Sequence, residues 1–200
     1  MVRSQVSLPR PYRVACEAAL GKELAIKAAE GYSLLRSERP TPEDARLRRH
    51  LHGHILPGLA IYRALREGGL DEKAALEAIE KVFGILAAGM RGKFLWLGKL
   101  PFFYGMLRIF MPAAMRAYPA SGWNTTWLEA SGERMRFDID RCYYCDSLRE
   151  RGAPELAASY CRIDDLIYDG LSAAYAWKRT TTLARGDAKC DFRFERRPRG

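Results

Sequence analysis

Apolar residues recur every three or four positions along the first 120 residues, which is the spacing of helices that bury one face. The stretch 13–37 follows this period loosely, and Gly21 and Gly31 weaken its continuity because glycine lowers helix stability. A further helix opens at Asp71 and carries its apolar residues on one side. The N-terminal part of the chain is therefore predicted to be a layer of three to five helices.

The stretch 39–69 is predicted to be a helix with a proline inside it. Thr41 followed by Pro42 is typical of a helix start, and a pair of glycines marks the end. Pro57 removes one backbone hydrogen-bond donor within this run. We therefore expect the helix to kink or divide near His54.

The segment 84–118 is rich in glycine, aromatic residues and basic residues. We expect two short helices, broken at Gly98 and Pro101, that pack on the core while their lysines and arginines extend outward. The same composition also fits a helix that lies in a membrane interface. Peripheral membrane contact through 84–118 is therefore kept as an alternative.

Beyond Pro119 the apolar period changes to two, which indicates β-strands. Alternating residues predict one hairpin around 123–139 and a second around 172–197. Between them, a proline near the start and a glycine at the end delimit a predicted helix at 153–170.

Helices followed by a hairpin, a helix and a second hairpin predict an α+β fold, in which helices pack on an antiparallel sheet of about four strands. Two hundred residues, 48% of them hydrophobic, are enough for a single domain with its own core. We expect a mainly helical part at 12–118, a sheet with one inserted helix at 119–196, and a basic tail at 197–200.

The chain is basic, with a formal net charge of +9. Much of the excess is local, because six lysines and arginines but no acidic residue lie between Glu80 and Glu129. No helix-turn-helix, zinc-finger spacing or RNA-binding motif accompanies this charge, so no nucleic-acid partner is expected, and an anionic small molecule or membrane headgroups suit the pattern at least as well. The chain also lacks a secretory signal and a long apolar span, so a cytoplasmic location is expected.

Five cysteines are the main candidates for chemistry, and in a reducing compartment we expect free thiols rather than disulfides. Cys142 and Cys145 have the C-x-x-C spacing of half a zinc site, but Cys161 and Cys190 are isolated within regular elements, and a structural zinc needs four converging ligands. The histidines around His54 lack the glutamate of a metalloprotease motif, although His54 could still act as a proton shuttle. Neither a metal nor a cofactor is expected.

A nucleophile with a base is the remaining possibility. On the predicted helix at 153–170, Cys161, Asp164 and Tyr168 share one face at spacings of three and four. Cys161 would attack as a thiolate, so an arginine or histidine from the basic segment would have to lie close to stabilise its charge. Alternatively, Asp164 acts as a general base on water while the cysteine only shapes the pocket. Cysteines also occur in cores without any chemical role.

Three stretches carry a resemblance to a known family. They are HILPGLAIYRAL at 54–65 with the GGLDEKAALEAI that follows it, RCYYCDSLRERGAPELAASYCRIDD at 141–165, and TTTLARGDAKCDFRF at 180–194. Over roughly residues 40–195 the chain resembles the L-2-amino-thiazoline-4-carboxylic acid hydrolases. Its C-terminal part is also similar to the vinyl-reductase-like ligand-binding domains, which bind ligands rather than hydrolyse them.

The first resemblance implies ring-opening hydrolysis of a cyclic thiazoline to an N-carbamoyl-cysteine-like product, with a carboxylate-bearing small molecule as the substrate. The second implies a non-catalytic small-molecule or lipid-binding module. The positions that match the family imply a catalytic group of Cys161, Asp164, Cys142 and Cys190. Substrate contacts are expected from His54, Tyr168, Asp187, Arg91 and Lys93. Cys145 departs from the family's pattern and is expected to be incidental.

Overall fold

The structure, a computed structural model, describes residues 7–173 and 175–197. Its α-helices within these ranges are α1 Arg10–Leu20, α2 Lys22–Glu38, α3 Ala45–His50, α4 Leu56–Glu67, α5 Glu72–Leu97, α6 Phe103–Ala114, α7 Tyr143–Glu150 and α8 Leu156–Tyr168. Its strands are β1 Trp123–Ala130, β2 Arg134–Cys142, β3 Tyr175–Lys178 and β4 Cys190–Arg196. The helices are mostly N-terminal and the strands C-terminal, so the predicted α+β class is confirmed. The predicted basic tail lies outside the described residues except for Arg197.

The chain divides into two compact units. The first comprises the residues up to Leu86 together with Ser147–Tyr160, and the second comprises Ala87–Asp146 and the residues from Cys161 onward. The single-domain organisation stays a prediction. The core of the first unit is largely aliphatic and includes Ile55, Leu59, Ile61, Ile79, Val82 and Leu156.

Helix boundaries in the first unit depend on glycine and aspartate. α1 ends and α2 begins at Gly21, whose φ of +93° is a conformation that glycine adopts without strain. Gly31, by contrast, lies within α2. The cap predicted at Thr41 is wrong, because α3 begins only after Asp44, whose carboxylate accepts a hydrogen bond from the Arg46 N–H at 2.8 Å.

The predicted division of the helix near His54 is confirmed. Leu51–Ile55 forms a π-helical turn between α3 and α4, and Pro57 lies in the first turn of α4. The Tyr160 hydroxyl donates to the His54 carbonyl oxygen at 2.8 Å, which satisfies a backbone acceptor in this irregular turn. Gly58 makes room for that tyrosine, since a Cβ there would lie 1.9 Å from its hydroxyl oxygen.

α5 ends at Leu97, so the first of the two short helices predicted within 84–118 is not separate but is the C-terminal part of α5. The chain then breaks before α6, as predicted at Gly98 and Pro101. Gly98 is required there because a Cβ would lie 2.3 Å from the Leu171 carbonyl oxygen. α6 buries one face of apolar side chains, formed by Phe103, Tyr104, Leu107 and Met111.

The four strands form one antiparallel sheet in the order β1-β2-β4-β3. β1 and β2 make the first predicted hairpin, and β2 pairs with β4 in a register that sets Phe137 opposite Phe192, with ring centroids 4.7 Å apart. β3 and β4 pair as the second predicted hairpin, and a long loop at 179–189 connects them. This loop lies at the same end of β4 as Cys190.

α7 follows β2 directly and was not predicted from the sequence. α8 matches the helix predicted between the hairpins, and Gly152 and Gly170, with φ of +69° and +64°, turn the chain before and after it. Among the described helices, each is too short or too polar to cross a membrane.

Candidate active site

Two cysteines from distant parts of the sequence meet beside the sheet. Cys190 is the first residue of β4 and pairs with Ile139 of β2, whereas Cys161 lies in α8. The Cys161 thiol donates a hydrogen bond to the Cys190 sulfur, and the Leu183 N–H donates another at 3.3 Å. The Cys190 sulfur is thus an acceptor of two hydrogen bonds, which is the environment of a thiolate.

These contacts give the two thiols opposite acidities. The hydrogen bond from Cys161 lowers the pKa of Cys190 to about 7, and the Leu183 N–H and the Arg179 cation assist it against the opposing effect of burial. The same hydrogen bond, together with burial, raises the pKa of Cys161 far above its ordinary value. Around neutral pH, Cys190 is therefore a thiolate in a large fraction of molecules, while Cys161 keeps its proton.

Two aspartates shape the loop 179–189. Asp191 accepts two backbone hydrogen bonds from the start of the loop, at 2.7 and 2.8 Å. Asp187 accepts one from the Thr182 N–H at 2.7 Å, and so closes the short turn that follows. These bonds fix the position of the Leu183 N–H that donates to the Cys190 sulfur.

The buried side chain of Arg179, only 2% exposed, connects this loop to α8. Its Nη1 donates to Asp164 Oδ2 at 3.0 Å, and its Nη2 donates to the Cys161 carbonyl oxygen at 2.6 Å and pairs with Asp165 at 2.8 Å. Its Nε–H is buried and has no hydrogen-bond partner among the described residues. Arg179 is thus the cation beside the thiols. It follows β3 in the sequence, whereas the expected cation was one from the basic segment before β1.

Cys142 lies where β2 ends and α7 begins. The Cys145 thiol donates to its sulfur, as do the backbone N–H groups of Cys145 and Tyr144. The thiol donor in particular holds the pKa of Cys142 below its ordinary value despite burial, while the nearby Cys190 acts in the opposite direction. In the C-x-x-C pair, Cys142 is therefore the acidic thiol and Cys145 donates the hydrogen bond that makes it so. Cys145 was expected to be incidental, and that expectation is wrong.

Asp164 lies one helical turn after Cys161 and supplies a carboxylate with altered acidity. Burial raises the pKa of Asp164 to about 6, and the Arg179 guanidinium opposes the rise. Its side chain nevertheless keeps 38% of its surface exposed, so protein atoms crowd the carboxyl group while solvent still reaches it. Burial and the charge of Asp164 raise the pKa values of Tyr118 and Tyr168, so two phenol groups lie near this carboxylate.

The fold therefore brings together Cys142, Cys161, Cys190, Asp164 and Tyr168, all of which the sequence suggested. Within the described ranges, the structure places no group of three or more His, Cys, Asp or Glu side chains where they could hold a metal ion. The arrangement can supply a thiolate, a thiol donor and a carboxylate base to one small molecule.

The other predicted substrate-binding residues have different surroundings. His54 belongs to the first unit, where burial lowers its pKa and its ring lies 6.3 Å from that of Tyr12. Arg91 donates to two carbonyl oxygens at the C-terminal end of α8, at 2.5 and 2.8 Å. Lys93 lies on the exposed side of α5, where it lines a shallow depression beside Trp96. Contact of these residues with a substrate stays a prediction.

Sequence reasoning missed three residues of this site. Arg179 escaped notice because no helical or strand spacing connects it with Asp164, fifteen positions earlier along the chain. Tyr118 looked like part of the aromatic basic segment, although its position just before Pro119, where the apolar period changes, marked the end of that segment. The Leu183 N–H is a backbone group and carries no sequence signal.

Comparison with known proteins agrees with the resemblance seen in the sequence. The family model described as L-2-amino-thiazoline-4-carboxylic acid hydrolase matches residues 48–194, which include all the thiols and carboxylates of the candidate site. No curated protein matches the chain significantly. Because the family match spans well over half of the chain, this protein belongs to the L-2-amino-thiazoline-4-carboxylic acid hydrolase family.

Proposed function

We propose that the protein hydrolyses a small cyclic amidine of the thiazoline type and that Cys190 is its nucleophile. The family is named for the hydrolysis of L-2-amino-thiazoline-4-carboxylate, which supports the reaction class. One observation carries the choice of nucleophile: the Cys190 sulfur accepts hydrogen bonds from the Cys161 thiol and the Leu183 N–H, close to Arg179. A sulfur held in this way is stable as a thiolate, and the thiolate is the form that attacks.

In the first step, the Cys190 thiolate adds to the ring carbon that lies between sulfur and nitrogen. Collapse of this adduct breaks the ring carbon–sulfur bond, and the bonding electron pair leaves on the ring sulfur, which takes a proton from the amidinium group. The opened substrate stays attached to the protein through its new bond to Cys190. A difficult hydrolysis is thereby divided into two easier steps.

In the second step, water adds to the same carbon and Asp164 accepts its proton. With a pKa of about 6, Asp164 is mostly ionised at neutral pH, yet it is more basic than an ordinary aspartate. The remaining hydroxyl proton moves to the former amidine nitrogen, and breaking the bond to Cys190 then returns the thiolate and releases an N-carbamoyl-cysteine-like product. Asp164 returns its proton to solvent. One water is consumed, and neither an oxidant nor a reductant is needed.

The surrounding groups would position the substrate. Cys190 is only 5% exposed, whereas Cys161 and Asp164 are partly exposed, so the substrate approaches over α8. Arg91 and Lys93 remain our candidates for the substrate carboxylate. Free thiols of this kind suit a reducing cytoplasm.

The test is turnover of L-2-amino-thiazoline-4-carboxylate by the purified protein, followed by chromatography and mass spectrometry of the product. Cys190→Ser should lower kcat by about 10³-fold or more. Cys16→Ser is the matched control, because Cys16 is a buried thiol of the first unit, and it should leave kcat unchanged. Full activity of Cys190→Ser would refute the assignment of the nucleophile.

A second pair of variants tests the base. Asp164→Asn should slow turnover strongly, whereas Asp165→Asn should be milder because Arg179 keeps its bond to Asp164. If the wild-type protein turns over no thiazoline and native mass spectrometry instead finds a retained small molecule, the ligand-binding alternative replaces the hydrolase.

A further inference from the structure

α6 is apolar on both of its sides, although only one side is packed. Its packed residues are Phe103, Tyr104, Leu107 and Met111. Met106, Ile109, Phe110 and Ala113 recur at helical spacing on another side of α6, and Phe102 precedes them at the start of the helix; we name these five residues the α6 outer face. Phe102, Ile109 and Phe110 are 57%, 65% and 60% exposed. Large apolar side chains that lie side by side in water mark a surface that binds a protein or a membrane.

The charged residues within α6 and next to it in the sequence are all basic. Lys99 precedes α6, Arg108 lies within it and Arg116 follows it, while no acidic residue occurs in the sequence between Glu80 and Glu129. Burial is the main cause that raises the pKa of Tyr104, and the charges of Glu129 and Glu133 add to it. Tyr104 lies on the packed side of α6, so these two carboxylates act on that side. The α6 outer face is therefore apolar and bordered by cations.

We propose that the α6 outer face binds the surface of a membrane that carries anionic lipids. Apolar and aromatic side chains with flanking lysines and arginines are what an interfacial helix uses to enter the headgroup region, and anionic headgroups neutralise the cations. α6 has twelve residues and is about 18 Å long, which is too short to cross a bilayer, so the helix lies along the surface.

A second copy of the chain fits this face less well. A two-fold contact through this face would bring the basic residues of the two copies together, and the sequence between Glu80 and Glu129 has no acidic residue that could pair with them across the contact. The membrane proposal is independent of the proposed hydrolysis, since the residues of the α6 outer face are absent from the candidate active site.

Sedimentation with vesicles tests this inference. The wild-type protein is mixed at low salt with vesicles of phosphatidylcholine alone or of phosphatidylcholine with phosphatidylglycerol. Ile109→Ser combined with Phe110→Ser should weaken binding to the anionic vesicles by about tenfold or more. Ile26→Ser combined with Leu34→Ser is the matched control, because both residues are 63% exposed but lie on α2.

A charge variant tests separately whether attraction between basic residues and anionic lipids contributes to membrane binding. Lys99→Glu should weaken binding by about fivefold or more, whereas the same change at the exposed Lys22 of α2 should have little effect. High salt should also weaken binding of the wild-type protein.

The inference is overturned if the wild-type protein does not sediment with anionic vesicles, or if the control on α2 weakens binding as much as the α6 variant does. It is also overturned if neutral vesicles bind equally well. If the α6 variant instead dissociates an oligomer in size-exclusion chromatography while vesicle binding is absent, the face is a protein interface and the lipid proposal is wrong.

Discussion

Removing the thiol of Cys161 should make Cys190 less acidic. In the structure the Cys161 thiol donates to the Cys190 sulfur, and this hydrogen bond is the largest cause of the low pKa of Cys190. Cys161→Ala deletes the donor but leaves the Leu183 N–H and Arg179 in place. The pKa of Cys190 should therefore rise from about 7 towards its ordinary value of 9.0.

The size of this effect is large enough to measure. A shift of two pKa units corresponds to about 2.7 kcal/mol of preference for the thiolate over the thiol. If the hydrogen bond from Cys161 supplies half of it, the pKa of Cys190 in Cys161→Ala is about 8. The thiolate fraction at pH 7 then falls from about one half to about one tenth.

The assay is the rate of alkylation by iodoacetamide as a function of pH, with peptide mass spectrometry to assign the modified cysteine. The midpoint for Cys190 should lie near pH 7 in the wild-type protein and at least about one unit higher in Cys161→Ala. Cys161→Ser keeps a hydroxyl donor and should shift the midpoint less. An unchanged midpoint in Cys161→Ala would refute the reasoning, because the hydrogen bond would then not control the acidity of Cys190.

Two further predictions concern stability. Burial acts to raise the pKa of Asp138, but hydrogen bonds from Lys189 and a neighbouring arginine hold it below the ordinary value of 3.8. The ion pairs of Asp138 stabilise the fold fully at neutral pH, and this stabilisation is lost as the pH falls below 3.8. Asp138→Asn should therefore lower the free energy of unfolding, measured with urea, by about 1–2 kcal/mol at pH 7 and by less at pH 3. An equal loss at both pH values would contradict this. Gly58→Ala should cost about 1–3 kcal/mol because the new Cβ displaces Tyr160, whereas Gly53→Ala meets open space and should cost much less. Equal thermal stability of the two alanine variants would show that Tyr160 is not held tightly.

The sequence predicted which residues form the candidate site better than it predicted the contacts between them. The spacing of Cys161 and Asp164 on one helix was readable because both lie on α8, where helical geometry alone sets their separation. The approach of Cys190 depends on the register of β4 against β2 and on the placement of α8, and no local pattern encodes either. Family resemblance supplied that part of the prediction.

One element, α7, shows where local patterns fail. α7 starts directly after β2 without an intervening turn, so the two-residue period of the strand obscured the start of the helix. Its first turn is stabilised by the Cys142 sulfur, which accepts backbone N–H groups as a capping side chain would, and cysteine is not among the usual caps.

The segment 84–118 illustrates a different difficulty. Its breaks at Gly98 and Pro101 were predictable because glycine and proline interrupt helices. Its apolar positions did not reveal which face of α6 is packed, since both faces are apolar. Only the packing of Phe103 and Tyr104 in the second unit distinguishes them.

The most direct test of the central claim is to trap the covalent intermediate on Cys190. Asp164→Asn should slow its hydrolysis, so mixing this variant with L-2-amino-thiazoline-4-carboxylate and quenching rapidly should leave protein heavier by one whole substrate molecule. Peptide mass spectrometry should find that mass on Cys190. Product formation by the wild-type protein without any such adduct in the variant, or an adduct on Cys161 or Cys142 instead, would contradict the account.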